Sequence, residues 1–169
     1  SAASDVYKRQ IPNGRGDIKI VKKFQKKFKF IDESYNASPV AVAAAIETLS
    51  AVELDKVGRS IAVLGDMLEM GHASPRLHAD LAPALTSAGV ALVFACGLWM
   101  RKMFEALPRH MQGCYECSSA DLLPQVIAAV QAGDTVLVKG SAGIAMAPKV
   151  RALLGLGPEF NLNVSAARG

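Results

Sequence analysis

The first residues in this chain whose types and spacing suggest a chemical role are two neighbouring carboxylates. Asp32 and Glu33 end an apolar run, and a short polar turn then leads to Ser38 and Pro39. Ser38 is suited to cap a helix and Pro39 to open one, because its φ is fixed near the helical value. A strand, a polar turn and a helix start in this order form a ligand site in open α/β sheets. Because neighbouring strand residues point to opposite faces, we do not expect one acid/base couple, and the alternative is a pair of turn carboxylates without a ligand.

Two further polar turns follow apolar runs that glycine brings to an end. Asp66 and Glu69 follow one such run, and Lys139 and Ser141 follow another. Since parallel strands end at the same edge of a sheet, we expect these side chains at the carboxyl edge that also carries Asp32. Solvated loop carboxylates, and a lysine whose aliphatic stem reaches solvent, are the alternatives. On the next helix, the imidazole of His78 is either a local proton acceptor or a satisfied histidine on the helix surface.

The elements that must position these turns alternate along the chain. Short apolar runs, stopped by glycine and separated by helical stretches, are typical of buried parallel strands, so an α/β, doubly wound, Rossmann-like, mostly parallel sheet is predicted. A β-hairpin precedes it, with lysines outward and Ile18, Ile20, Phe28 and Phe30 inward. The predicted strands are residues 17–21, 28–31, 61–64, 91–95 and 135–138, with 113–117 as a further edge strand. The predicted helices are residues 39–49, 75–87 with Ser74 as N-cap, 98–107, 120–132 and 147–154.

Length and composition bound the class of protein. The 169 residues suit a single domain, and the 51% hydrophobic and 20% charged fractions exclude a disordered chain. No apolar run approaches the ~20 residues of a membrane helix, and no signal peptide is visible, so we expect a cytoplasmic location and no membrane partner. Three cysteines, an odd number, fit reduced thiols in a reducing compartment.

Two other clusters have simpler interpretations. Cys114 and Cys117 have the spacing of a metal or redox pair, but no second cysteine pair exists, and a structural zinc site needs four ligands. No metal site is therefore predicted. Six lysines from Lys19 to Lys29, interleaved with phenylalanines, have the pattern of a single-strand nucleic acid surface. Lysines also protect an exposed edge strand from aggregation, and we expect that role and no nucleic acid partner.

Three stretches together carry a resemblance to a known family. Residues 32–39, Asp-Glu-Ser-Tyr-Asn-Ala-Ser-Pro, resemble the D-D-S-Y-N-A-N-P signature that opens the C-terminal domain of MurF-type Mur ligases. Residues 62–71 resemble the A-V-L-G-D-M-L-E-L-G motif of that family, and residues 138–141 resemble its V-K-G-S motif. Glu33 and Ser38 stand where the family usually has Asp and Asn, and Ala142 where Arg often follows the third motif. These ligases add D-alanyl-D-alanine to the UDP-N-acetylmuramoyl-tripeptide in peptidoglycan synthesis.

The resemblance implies a nucleotide-facing side of the domain. The turn that carries Asp32, Glu33, Tyr35 and Asn36 would bind the nucleotide, with a carboxylate accepting from ribose hydroxyls. Arg15 lies in a Gly-Arg context that matches the linker arginine of these ligases. Its guanidinium would reach the γ-phosphate when the domain swings closed, which makes Arg15 the catalytic candidate. The alternative is an ordinary solvated arginine.

The resemblance also implies substrates, cofactors and partners. Asp66, Glu69, Lys139 and Ser141 would bind substrate, with a carboxylate on the dipeptide ammonium and the lysine on a carboxylate or phosphate. ATP and Mg²⁺ would be bound mainly by a central domain, because no G-x-x-x-x-G-K-[ST] phosphate loop occurs in this chain. The chain alone is therefore expected to be inactive. Its expected partners are the N-terminal and central Mur ligase domains, UDP-MurNAc-tripeptide and D-Ala-D-Ala, in a monomeric enzyme.

The domain boundaries follow from composition and from the extent of the resemblance. We expect residues 1–11 to be a disordered leader or scar, 12–16 an interdomain linker, 17–155 the ligase domain and 156–169 a tail. Two alternatives stay open. One is the C-terminal domain of another Mur ligase or of folylpolyglutamate synthase, against which the Ser-Tyr-Asn-Ala turn argues. The other is a non-catalytic binding module that uses the basic hairpin, and an upstream central domain with a phosphate loop would argue against it.

Overall fold

An antiparallel hairpin leads into the sheet. The computed structural model describes residues 17–23, 26–33, 37–52, 54 and 58–140. Strands β1 (Asp17–Lys23) and β2 (Lys26–Glu33) pair antiparallel, and the other edge of β2 pairs in parallel with β6 (Thr135–Lys139). Phe28 and Phe30 are buried as predicted. The register pairs Ile20 with Lys29, so Ile20 lies on the face opposite to Phe28 and Phe30, and the predicted inward face shared by these residues is wrong. The side chain of Ile18 is not among those that the structure describes, and the predicted helix at 147–154 lies outside the described residues.

The rest of the described chain alternates between strands and helices. The helix that opens on Pro39 is capped by Ser38, whose hydroxyl accepts from the N–H of Ala41 at 3.2 Å, as predicted. The remaining elements, in chain order, are α1 (Pro39–Ala51), β3 (Ser60–Gly65), α2 (Ser74–Ala79), α3 (Leu81–Ser87), β4 (Leu92–Cys96), α4 (Met100–Ala106), β5 (Gln112–Glu116) and α5 (Ser119–Ala129), with short 3-10 turns at Gly71–Ala73 and Arg109–Met111.

The six strands form one sheet in the order β1-β2-β6-β3-β4-β5, in which only β1 runs antiparallel. Helices α1 to α4 cover one face, where their apolar side chains pack on β-strand residues such as Ala62 and Leu64. Helix α5 covers the other face, where Leu122 and Val126 pack against Val63. Strands β3 and β6 are buried along their whole length, which explains why they appear in the sequence as unbroken apolar runs. The predicted doubly wound α/β fold with an N-terminal hairpin is confirmed, and β5 is the predicted edge strand.

One predicted helix is wrong in detail. Residues 75–87 were expected to form a single helix with Ser74 as its cap, whereas α2 and α3 are separate and Ser74 is the first residue of α2. Pro83 explains the break, because it has no N–H for the carbonyl of Ala79 and its ring would collide with that carbonyl in a continuous helix. The N–H of Asp80 instead closes α2 on the carbonyls of Arg76 and His78.

The helices of the described part of the chain include no candidate membrane span. None of them combines the length and the apolar character needed to cross a bilayer.

Candidate functional site

The carboxyl edge of the parallel strands gathers three of the polar residues predicted from the sequence. Glu33 ends β2, Lys139 ends the neighbouring β6, and Asp66 directly follows β3, the next strand along the sheet. In the strand register, Lys139 stands beside Glu33 on one side and Leu64 on the other. The topology therefore places side chains that are up to 106 residues apart in sequence at one edge.

Glu33 and Lys139 form an ion pair at this edge. The Nζ atom of Lys139 donates to Oε2 of Glu33 at 3.3 Å, and the two side chains are 4% and 16% exposed respectively. A lysine buried to this extent requires a counter-charge, and its strand neighbour supplies it. The pair leaves a charged, partly accessible group at the end of two adjacent strands.

Asp32 lies on the opposite face of the sheet from Glu33. Strand alternation places Asp32 with Phe30, which packs against α5, and Glu33 with Ile31, which packs on the α1 side. Asp32 is buried, with a relative exposure of 4%. The two carboxylates are thus separated by the sheet, and a shared acid/base couple is not formed.

Asp66 links the loop after β3 to the loop after β4. Its carboxylate accepts from the N–H of Met100 at 2.8 Å and from the N–H of Trp99 at 3.0 and 3.1 Å. Helix α4 has no capping side chain of its own, so Asp66 satisfies the free amides at its start and places a negative charge at the positive end of the helix. Asp66 is 4% exposed. A substrate that contacts Asp66 would therefore have to share carboxylate oxygens that already accept these bonds.

The approach of Asp66 to the β4 loop requires a glycine. Gly97 has a φ of +106°, and a Cβ added there would lie 2.4 Å from the carboxyl carbon of Asp66. Gly97, Trp99 and Met100 were not predicted as site residues from the sequence. The glycine directly after an apolar run was the one available signal.

His78 is fully buried rather than on the helix surface. Its Nε2 atom accepts from the N–H of Met67 at 2.9 Å, and its Nδ1 atom lies 2.6 Å from the carbonyl oxygen of Ser74. Both ring nitrogens therefore have partners in the protein, and the expected surface position is wrong. The role of local proton acceptor is excluded for the same reason, because the Nε2 lone pair is already used.

Exposed groups lie at the same edge, around the buried contacts of Asp66 and His78. Glu69 is exposed and has a φ of +63°, the only positive φ of a non-glycine residue in the described part of the chain. Four large apolar side chains are exposed in the described part of the chain. Three of them follow the carboxyl ends of strands: Val40 after β2, Leu68 after β3 and Leu98 after β4, with exposures of 80%, 37% and 72%. The edge thus presents charged and apolar groups together.

Four predicted site residues cannot be located. Arg15, Tyr35, Asn36 and Ser141 lie outside the described residues, so their roles stay predictions. No group of three or more His, Cys, Asp or Glu side chains that would hold a metal ion occurs within the described ranges.

The opposite edge of the sheet carries a structural ion pair that the sequence did not reveal. Asp134 is 0% exposed and accepts from Nε and Nη2 of Arg59 at 3.1 and 2.8 Å, and also from the backbone N–H groups of Arg59 and Gln131. The hydrogen bond to Asp134 raises the pKa of the Arg59 guanidinium. Arg59 precedes β3 and Asp134 precedes β6, so the pair fixes the starts of two central strands.

A second polar surface lies between α4 and the edge strand β5. An open groove of about 440 Å³ is lined by Arg101, Glu105, Tyr115 and Cys117, among others. Two of its side chains already have partners, since Arg101 pairs with Glu105 at 2.9 Å and the hydroxyl of Tyr115 donates to the carbonyl of Gly97 at 2.7 Å. Burial raises the pKa of Tyr115, in keeping with a phenol held as a donor.

Sequence comparisons match this chain to Mur ligases. A family model described as "Mur ligase, glutamate ligase domain" matches residues 18–142. A UDP-N-acetylmuramoyl-tripeptide--D-alanyl-D-alanine ligase from Rickettsia prowazekii is 30% identical over 116 residues, which cover 69% of this chain and 25% of that protein. The ligase of the same name from Escherichia coli is 32% identical over 123 residues, or 73% of this chain and 26% of that protein. The chain thus spans about a quarter of the length of the curated relatives it matches.

Structural comparisons agree on the fold. A MurF from Acinetobacter baumannii has a TM-score of 0.71 at 25% identity, covering 88% of this chain and 32% of that chain. A MurF ligase from Thermotoga maritima in complex with ADP has a TM-score of 0.67 at 24% identity, covering 87% of this chain and 31% of that chain. A bifunctional folylpolyglutamate synthase/dihydrofolate synthase from Yersinia pestis, complexed with AMPPNP and Mn ion, shares the fold at 18% identity, with a TM-score of 0.58, covering 88% of this chain and 32% of that chain.

Proposed function

This chain belongs to the Mur ligase C-terminal domain family, and we propose that it is the C-terminal domain of an ATP-dependent ligase that adds D-Ala-D-Ala to UDP-MurNAc-tripeptide. The name shared by the curated relatives supports the choice of substrates. The observation that carries the proposal is the common carboxyl edge of Glu33, Lys139 and Asp66, because the motifs that resemble the MurF type meet there. Open α/β sheets bind their ligands at this edge.

The proposed reaction forms an amide bond. ATP supplies the phosphoryl group that activates the carboxylate of the tripeptide, and the amine of D-Ala-D-Ala then replaces phosphate at the carbonyl carbon. The domain's part is to close over the nucleotide and to help position the dipeptide. Holding the amine beside the activated carbonyl lowers the barrier chiefly by orientation.

On the nucleotide side we assign Asp32, Glu33, Tyr35 and Asn36, with Arg15 as the catalytic residue. The Glu33 carboxylate ends a strand and is partly exposed, which fits acceptance of a ribose hydroxyl. The guanidinium of Arg15 would bind the phosphate oxygens on which charge develops. Residues 12–16 would serve as the linker that lets the domain swing, with the N-terminal and central domains before it.

Mg²⁺ does not fit the Asp66 and Glu33 carboxylates of this edge. This ion prefers unengaged oxygen ligands in octahedral geometry. Asp66 already accepts bonds from backbone amides, and Glu33 pairs with Lys139. We therefore assign Mg²⁺, and most of the contacts to ATP, to the other domains of the ligase.

On the dipeptide side we assign Glu69, Lys139 and Ser141 to direct contacts and Asp66 to the same pocket. Glu69 is exposed at the carboxyl edge and would bind the dipeptide ammonium. Lys139 would bind a carboxylate or phosphate in exchange for part of its bond to Glu33. Leu68 and Leu98 add apolar surface of the kind that the methyl groups of an alanyl dipeptide contact.

The full-length ligase is the right object for the test. Replacing Glu33→Gln together with Lys139→Met removes both charges without leaving one unpaired, and we expect kcat/KM for D-Ala-D-Ala to fall by about 10- to 100-fold, the effect of one lost charged contact. Lys102→Met, on the exposed side of α4, is the matched control and should leave kcat/KM unchanged. Equal activity of the double variant and the control would contradict the proposed site.

Arg15 has a separate test in the same enzyme. Arg15→Lys keeps the charge and loses the planar fork, so we expect kcat to fall by about 100-fold or more, as for the loss of one donor to a transition state. An unchanged kcat would exclude Arg15 from catalysis.

The chain alone tests the division of labour between domains. We propose that residues 1–169 do not join D-Ala-D-Ala to the tripeptide, since they hold no phosphate loop. ATP-dependent product formation by this chain would overturn that statement. Glutamate as the preferred amine of the full-length enzyme would instead assign the domain to a folylpolyglutamate synthase or another Mur ligase.

A further inference from the structure

The loop between β3 and α2 is held from inside the protein by a histidine that no step of the proposed reaction uses. His78 is fully buried on α2, and its ring reaches back to the loop through Met67, the second residue after β3. Its other nitrogen lies against the carbonyl of Ser74, the first residue of its own helix. One ring thus joins the beginning of the loop to the helix that ends it.

The two contacts fix the tautomer of His78. The backbone N–H of Met67 can only donate, so Nε2 must accept and carries no proton. The carbonyl of Ser74 can only accept, so Nδ1 must carry the proton. The imidazole is therefore neutral, with its single proton on Nδ1.

Asp66 holds the same loop from the other side. It binds the amides at the start of α4, and its Oδ1 lies 4.0 Å from Nε2 of His78. The consecutive residues Asp66 and Met67 are thus fixed, one by its side chain and one by its backbone. The next two residues, Leu68 and Glu69, are exposed, and Glu69 adopts the left-handed conformation that a non-glycine residue avoids unless its surroundings impose it.

We propose that His78 is a positioning residue of the ligase site. Its bond to Met67 sets the backbone on which Glu69 is presented, and so keeps the Glu69 carboxylate at the carboxyl edge, where it receives the ammonium of the amine substrate. The inference rests on the proposed function for the identity of that substrate. The bond itself is a property of this chain and is tested separately.

Two substitutions separate the two bonds of the ring. In His78→Gln the longer side chain brings an amide oxygen to the position of Nε2, where it accepts from Met67. In His78→Asn the amide nitrogen takes the position of Nδ1 and donates to Ser74, while the bond to Met67 is lost. Both variants remove a buried ring, so they are matched for the packing that a purely structural role would need.

The first measurements use this chain at neutral pH. Nitrogen-15 NMR of the wild-type imidazole should show a protonated Nδ1 and an unprotonated Nε2, and the Met67 amide should be protected from hydrogen exchange. We expect His78→Gln to retain that protection and His78→Asn to lose it. A proton on Nε2, or a Met67 amide that exchanges freely in the wild type, would overturn the proposal even if neither variant folds.

The second measurement uses the full-length ligase. For His78→Asn we expect KM for D-Ala-D-Ala to rise about tenfold while kcat changes by less than about threefold, because the ground-state contact through Glu69 is lost and the reacting groups are not. His78→Gln should keep KM near the wild-type value. A similar KM in both variants, or a tenfold rise in His78→Gln, would overturn the positioning role. Absence of D-Ala-D-Ala joining by the wild-type ligase would instead contradict the proposed function, and the NMR result would be unaffected.

Discussion

At the scale of single residues, the close approach between the β3 and β4 loops depends on an absent side chain. The Asp66 carboxylate occupies the space where any Cβ at position 97 would lie. Gly97 also donates its N–H to the carbonyl of Glu116 and accepts at its own carbonyl from Tyr115. A shift of this residue would therefore disturb the cap of α4 and the pairing of β5 together.

Gly97→Ala is expected to destabilise the domain strongly. The positive φ costs about 1–3 kcal/mol for a residue with a Cβ, and forcing atoms into a filled space costs about 1–3 kcal/mol more. Gly89→Ala is the matched control, because Gly89 has a φ of +72° but open space around its Cβ position. It follows α3 with the bond pattern of a glycine helix end, and we expect a loss of about 1 kcal/mol. Urea unfolding of both variants measures the difference, and equal losses would show that Asp66 does not approach Gly97 closely.

Glu69→Gly separates the stability of the loop from its function. Glycine adopts the left-handed conformation without the penalty that Glu69 bears, so we expect the free energy of unfolding to rise by about 1 kcal/mol. The same change removes the carboxylate assigned to the dipeptide ammonium, so KM for D-Ala-D-Ala in the full-length ligase should rise by about tenfold. Loss of stability together with an unchanged KM would mean that Glu69 serves the fold and not the substrate.

At the scale of secondary structure, two prolines occupy different positions in their helices. Pro83 is the third residue of α3, where a backbone N–H has no helical partner, so the helix begins without loss. Pro124 is the sixth residue of α5, where the missing N–H leaves the carbonyl of Ala120 without its helical bond. The two positions therefore predict different responses to the same substitution.

Pro124→Ala should stabilise the domain, by at least about 1 kcal/mol, because it restores an internal helical bond at an exposed position. Pro83→Ala should change stability by no more than about 0.5 kcal/mol. Thermal unfolding and urea unfolding of the two variants are the measurement. A larger gain for Pro83→Ala than for Pro124→Ala would contradict this account of the break between α2 and α3.

The elements were more predictable than the contacts between them. The apolar runs at β3, β4 and β6 identify buried strands because burial on both faces leaves no room for polar residues. The alternation also places Asp66 and Lys139 at the carboxyl edge. It does not reveal that Asp66 caps α4 or that His78 binds Met67, because both contacts depend on how helices dock on the sheet. The prediction of one helix over residues 75–87 was wrong because the apolar periodicity was given more weight than a single proline.

At the scale of the whole domain, the two edges of the sheet have different roles. The carboxyl edge carries exposed groups and a strained loop on a buried network. The opposite edge carries Arg59 and Asp134, whose bonds join the starts of β3 and β6, and the carbonyl of Asp134 also accepts from the N–H of Lys29 in β2. The bonds of Asp134 thus align three parallel strands at one edge of the sheet. The opposite ends of these strands carry the candidate site.

Asp134→Asn tests this division of roles. The substitution keeps the shape of the side chain but leaves Arg59 without its counter-charge. Breaking a fully buried pair costs about 3–5 kcal/mol, and because the Arg59 side chain is 28% exposed and partly solvated we expect about 2 kcal/mol. Arg101→Gln, which breaks the exposed pair with Glu105, is the control and should leave the urea midpoint unchanged. In the full-length ligase below its unfolding temperature, Asp134→Asn should keep the wild-type KM for D-Ala-D-Ala, since the pair lies at the far end of the strands. A raised KM with little loss of stability would show that the alignment of the strand starts reaches the site.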